Sequence, residues 1–199
     1  MSGSSTVTVV AGFGRCGSSL VMQMLQRAGV PPTGQWPSFE DRLMESPADF
    51  AWMAAQGGGA VKLLFHGRRV ARLGSDVSWR TIWLDRQPRQ QAMSQVKMLT
   101  QLSDLSVPDG AVAQFARSYR ADRPRALREL RRAGPVLVIS FERLIRFPER
   151  HAGYIADFVG KGCPAEMARA VLPRSVACQA GFDIEASLLE SPPAVGLGL

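Results

Sequence analysis

A strand, a glycine-rich turn and an amphipathic helix follow one another within residues 6–29, and no other stretch limits the fold so strongly. Thr6–Ala11 is β-branched and apolar, the pattern of a strand buried on both faces. Gly12, Gly14 and Gly17 then interrupt it. From Ser18 onward, Leu20, Val21, Met24, Leu25 and Ala28 recur at helical spacing until Gly29 and Pro31-Pro32 stop the run. A strand that feeds through a tight turn into a helix is the opening unit of an α/β sheet. The same turn suits an anion: glycines let backbone N–H groups approach, and the helix start adds its positive end. A plain strand-to-helix turn needs the glycines, but not Arg15 or the paired hydroxyls of Ser18 and Ser19 inside it.

The rest of the chain alternates in the same way. Strands are expected over 60–65 (AVKLLF), 80–84 (RTIWL) and 136–140 (VLVIS). Helices are expected over 40–56, after Pro88, over 111–133 with a break or kink at Pro124, and over 148–160. Alternating strands and helices predict an α/β fold, a three-layer α/β/α domain around a mostly parallel central sheet, similar to P-loop nucleotide-hydrolysing proteins. The chain is expected to form a single domain over 1–190, with 191–199 a loose C-terminal tail. In such sheets ligands gather at the carboxyl ends of the strands. The glycine turn falls there, as do His66, Arg86 and Glu142 after the later strands. Glu142 reads as an anchor for its strand end, His151 as a solvated helix residue, and the seven arginines of 117–132 as mostly solvated, with no strict stripe around Pro124.

The turn approaches the triphosphate-binding pattern G-x-x-x-x-G-K-[ST] and then departs from it. Gly12 and Gly17 have the required spacing, but Ser18 stands where the lysine would reach the β- and γ-phosphates. A nucleotide kinase or hydrolase is therefore disfavoured but kept as an alternative, together with a non-catalytic nucleotide-binding protein. Read instead as GRCGSSL, the turn resembles the 5′-phosphosulfate loop of the sulfotransferases, where a basic residue and a glycine precede paired hydroxyls at a helix start. RQPRQQAMS (86–94) is similar to that family's second signature: an arginine closing the third strand, a proline, and a serine eight residues after the arginine. FERLIRFPERHAGYIADFVG (141–160) resembles its later Glu-x-Leu, proline and Phe-x-Gly pattern. GQWPSFED (34–41) resembles, more loosely, the segment before the second helix of bacterial members. The chain departs from cytosolic animal members in two places. Leu20 rather than tryptophan follows the paired serines, and no Arg-Lys-Gly occurs, Arg174 being the nearest late basic residue.

This resemblance implies transfer of a sulfuryl group from 3′-phosphoadenosine 5′-phosphosulfate to a hydroxyl or amine of an acceptor, without a metal. Gly14, Arg15, Cys16, Gly17, Ser18 and Ser19 would hold the 5′-phosphate and the departing oxygen. Arg86 and Ser94 would grip the 3′-phosphate; an ordinary strand-end ion pair of Arg86 with Asp85 is the competing use. The acceptor must lose a proton, and Glu40 and His66 compete for that task. Lys62 is the third candidate, or the group that stabilises the bridging oxygen. The family often has Lys-x-His after the second strand, whereas here Lys62 precedes His66 by four residues.

Composition agrees without deciding. The net charge of +7 rests on arginine, since Lys62, Lys97 and Lys161 are the only lysines among 24 cationic residues. Arginine suits two-pronged contacts to phosphate or sulfate oxygens. Three cysteines with no paired spacing give no disulfide framework and no zinc site. No apolar run reaches the roughly 18 residues a bilayer span needs. A soluble, cytoplasmic protein is expected, acting on a small-molecule, glycan or lipid acceptor, with neither nucleic acid nor stable membrane insertion.

Overall fold

The computed structural model describes residues 6–39, 58–64, 78–102 and 106–179. Four strands, β1 (Thr6–Gly12), β2 (Gly59–Leu64), β3 (Ser78–Asp85) and β4 (Val136–Ser140), form one parallel sheet in the order β2-β1-β3-β4. Six helices are described: α1 (Ser18–Arg27), α2 (Pro88–Leu102), α3 (Ala111–Ala133), α4 (Phe141–Arg146), α5 (Pro148–Val159) and α6 (Pro164–Ala168). The expected α/β class is what the chain adopts. The glycine turn, the three further strands and the helices after Pro88, at 111 and at 148 fall where the pattern places them. The expected helix over 40–56 and the tail lie outside the described residues.

Strand periodicity sorts the core into two layers, because successive side chains point to opposite faces. Val10, Ala60, Ile82, Leu84 and Ile139 face one layer, where they bury α1, α4, α5 and α6. Val7, Val9, Ala11, Val61, Trp79 and Trp83 face the other, against Ala126, Leu127 and Leu130 of α3. So the connection leaving β1 turns to one face and the chain leaving β3 turns to the other. The crevice between their carboxyl ends is therefore the topological switch point of the sheet.

Three local expectations change. α3 runs unbroken through Pro124, which is exposed, so the carbonyl that loses its partner can be hydrated. His151 is buried rather than solvated, 7% exposed, with Nδ1 3.1 Å from the Phe147 carbonyl and its ring edge-on to Tyr154. The short helices α4 and α6 were not expected. Ser140 caps α4 by accepting from the Arg143 N–H.

Candidate functional site

The glycine turn lies at the switch point, between β1 and α1. Gly17 is the N-cap of α1 at φ 98°, and Arg15 is also left-handed at φ 65°. For a non-glycine residue that conformation is costly and concentrates at functional turns. Gly17 is needed twice over, since a Cβ there would stand 2.6 Å from the Phe141 ring. With glycine at the cap and no acidic residue in the first turn, the positive end of α1 is not offset by its own side chains. Cys16 is fully buried beneath the turn, and burial pushes its thiol pKa up. It is thus a packing residue of the cradle, its thiol held neutral.

The structure brings most of the expected residues together. The Arg15 Nε donates to the Ser94 Oγ at 3.2 Å, joining the turn to α2. The Arg86 guanidinium donates to the Arg15 carbonyl at 2.9 Å and lies 4.5 Å over the Phe141 ring. Its Nε is buried with no hydrogen-bond partner among the described residues. Burial pushes the Arg86 pKa down, yet an arginine stays charged. From β2, Lys62 donates to the Ser19 Oγ at 3.1 Å and to the Ser38 carbonyl at 2.9 Å, and Ser19 donates to that carbonyl at 3.2 Å. Lys62 reaches α1 because it pairs in register with Val10, whose side chain faces the α1 layer. Ser18 is buried at the start of α1. Glu40 and His66 lie outside the described residues.

Arg86 does not pair with Asp85. Neighbours on a strand point to opposite faces, so Asp85 turns to α3, where Arg123 meets both carboxylate oxygens at 2.9 and 2.7 Å. Arg86 turns to the other layer and the turn. Glu142 anchors its strand end as expected, accepting from the Gln87 N–H at 2.7 Å and the Ser140 hydroxyl at 3.0 Å.

Two further residues shape the site without a signal from the motifs. Gln91, 3% exposed, donates from Nε2 to the Phe13 and Gly14 carbonyls at 3.0 and 2.9 Å, so α2 holds the turn by its backbone. Its spacing was informative, since Gln91, Ser94 and Gln95 share one helix face. Phe141 supports the turn from below, between Gly17 and the guanidinium of Arg86, with Arg174 at 5.5 Å from its ring.

A glycine turn, a helix start and an arginine thus meet at the switch point of a parallel sheet in an α/β protein. Its backbone has the fold of the sulfotransferases. It is similar to the mouse sulfotransferase SULT7A1 complexed with PAP (TM-score 0.55, 13% identity), covering 87% of this chain and 64% of that one. It is also similar to sulfotransferase STF9 from Mycobacterium avium (0.53, 13%), covering 83% of this chain and 66% of that one. The sulfotransferase domain from the curacin biosynthetic pathway gives 0.57 and 15%, covering 87% and 80%. The chain thus spans less than two thirds of the length of the mouse enzyme. No family model matches the chain, and no curated protein sequence matches it.

Proposed function

We propose that the protein transfers a sulfuryl group from 3′-phosphoadenosine 5′-phosphosulfate to a hydroxyl or amine of an acceptor. The observation that carries this reading is the meeting of Arg15, Ser94, Arg86, Ser19 and Lys62 around the uncapped start of α1, at the switch point of the sheet. The fold it shares with proteins such as the PAP-complexed mouse enzyme agrees with it. The residues fit a doubly anionic nucleotide: Arg15 of the turn, Arg86 and Lys62 gather there, and the Arg86 Nε is buried with no hydrogen-bond partner among the described residues. A triphosphate with magnesium fits less well, since Ser18 replaces the loop lysine.

In this scheme the acceptor oxygen or nitrogen attacks sulfur in line. Its bond to sulfur forms as the bond from sulfur to the bridging oxygen breaks, and negative charge collects on the departing 5′-phosphate. The Gly14–Ser19 turn, Arg15 and the α1 start stabilise that charge where it develops. Lys62, which donates to the Ser19 hydroxyl, acts on the bridging oxygen in this scheme. Arg86 and Ser94 hold the 3′-phosphate, which separates this donor from ordinary adenine nucleotides. The acceptor proton passes to Glu40 or His66.

The test compares thermal stabilisation by 3′-phosphoadenosine 5′-phosphate, AMP and ATP with magnesium. The bisphosphate should stabilise most. Stabilisation by ATP alone would replace this reading with a nucleotide kinase or hydrolase. Transfer of labelled sulfate to a panel of hydroxylated acceptors, repeated with Glu40→Gln and His66→Ala, then identifies the base.

A further inference from the structure

Because α3 passes Pro124 without a break, its arginines form a face that the sequence alone does not reveal. At 100° per residue, the buried Ala116, Ala126, Leu127 and Leu130 define the inward side. Arg117, Arg125, Arg128 and Arg132 fall on the outward half, Arg131 at its edge and Arg120 on the adjoining flank, and all six are exposed. Asp122 and Glu129 lie together on one flank, where Glu129 pairs with Arg125 at 3.0 Å. The remaining five arginines form a single-sign strip. Arg117 and Arg120 form one i,i+3 pair, and Arg128 and Arg131 form a second, about 16 Å further along the helix axis.

The strip begins beside the candidate site. Tyr119 stacks on Phe13 of the glycine turn at 5.2 Å, and Arg123 clamps Asp85, the residue before Arg86. The later arginines lie beyond Ala126, Leu127 and Leu130, which pack against Val7 and Trp79 lower on the sheet. An extended molecule following the strip runs down one flank from the rim of the site.

We propose that the outward face of α3 docks a linear acidic polysaccharide, and that this polymer is the acceptor class; the second half rests on the sulfotransferase reading. Charge complementarity selects a polyanion, and the spacing of the two arginine pairs selects one whose charges repeat along its length. The outward half carries Ala113, Gln114, Ser118, Ala121 and Pro124 between the arginines. It therefore has no large apolar wedge for a bilayer. The aromatic rings of the helix, Phe115 and Tyr119, stack in line toward Phe13 rather than outward for nucleobases. An acidic polysaccharide supplies both chemistries in one molecule: anions for the strip and hydroxyls for the reaction.

The test measures binding of the full chain to polygalacturonate fragments across a salt series, with duplex DNA and phosphatidylglycerol vesicles as comparison ligands. Arg128→Glu with Arg131→Glu should weaken polysaccharide binding at least tenfold and flatten its salt dependence, because fewer counterions are released. A charge-matched control, Arg146→Glu with Arg150→Glu in α4 and α5, should leave it within about twofold. Equal loss in both variants would overturn the proposal, as would tighter binding of DNA or vesicles with the same dependence on Arg128 and Arg131. Bisphosphate stabilisation is measured in parallel. Polysaccharide binding without it would keep the docking face and refute the acceptor role with the proposed function. Bisphosphate binding without polysaccharide binding would refute this inference alone.

Discussion

Replacing Arg86 by alanine separates a nucleotide-reading arginine from one that merely ties the turn together. In the protein, Arg86 donates one hydrogen bond to the Arg15 carbonyl, stacks on Phe141 and leaves Nε buried without a hydrogen-bond partner among the described residues. Removing it loses that bond and a cation–π contact, but also relieves a charge whose pKa burial pushes down. These terms oppose each other, so the melting temperature of the free protein should fall by only about 2–4 °C, on the order of 1 kcal/mol. Ligand binding should respond far more. A charge-assisted hydrogen bond to a 3′-phosphate contributes about 1.5–3 kcal/mol, or roughly ten- to hundredfold in Kd. AMP lacks that phosphate and should lose much less. Calorimetric titration of wild type, Arg86→Ala and Arg86→Lys with 3′-phosphoadenosine 5′-phosphate and AMP measures both. The lysine variant should fall between the others, since it keeps the charge and loses the planar fork. If Arg86→Ala weakened both ligands by the same factor, its assignment to the 3′-phosphate would fail and its role would be to hold the turn.

Gly17→Ala forces a left-handed alanine against the Phe141 ring and should cost about 1–3 kcal/mol, seen as a fall of several degrees in melting temperature; an unchanged melting temperature would contradict the packing. Asp85→Asn breaks the two-pronged pair with Arg123, whose side chains are 36% and 39% exposed. The loss should be about 1 kcal/mol or less and shrink as salt is raised, whereas a loss independent of salt would show that charge is not its source. Burial pushes the Tyr119 pKa up to about 12. The unfolded phenol titrates near 10, so this contribution to stability is fully present below about pH 10 and lost as pH rises toward 12. Near-ultraviolet titration of the folded chain should show a late phenolate step that disappears in Tyr119→Phe; its persistence in that variant would refute the assignment.

Much of the fold was legible because its signals are local. β-branched runs, helical spacing and punctuation by glycine and proline placed the four described strands and the principal described helices. The residues of the candidate site were legible through spacing along the chain, and Arg15, Ser19, Arg86 and Ser94 do converge. What the chain order hides is which face each residue takes once strands pair. Asp85 and Arg86 are adjacent in sequence yet serve opposite layers, so an ion pair between them was an ordinary expectation that the pleat forbids. His151 carried no sign of burial because its neighbours Glu149 and Arg150 are exposed; only the packing of α5 on the sheet layer turns it inward. Gln91 and Phe141 gave no motif signal, since each acts on backbone or on a guanidinium from a distant part of the chain. The arginines of α3 looked scattered only while Pro124 was expected to break their helix.

The lysine that the turn lacks at position 18 is supplied in space from another strand. Parallel pairing sets Lys62 level with Val10, and the shared pleat turns both toward α1, which brings the ammonium group to the Ser19 hydroxyl. Arg15 approaches the same helix start from the α2 side, where it meets Ser94. One cation therefore comes from the turn and one from β2, whereas a triphosphate loop draws its lysine from the turn itself. Flanking cations suit an anion whose charge must shift from one oxygen to another during reaction, because each can stabilise a different oxygen without the loop moving. Ser19, hydrogen-bonded to Lys62 and one turn of backbone away from Arg15, stands between them. That arrangement gives the lysine absent at position 18 a structural counterpart, and it favours the proposed phosphosulfate donor over a triphosphate.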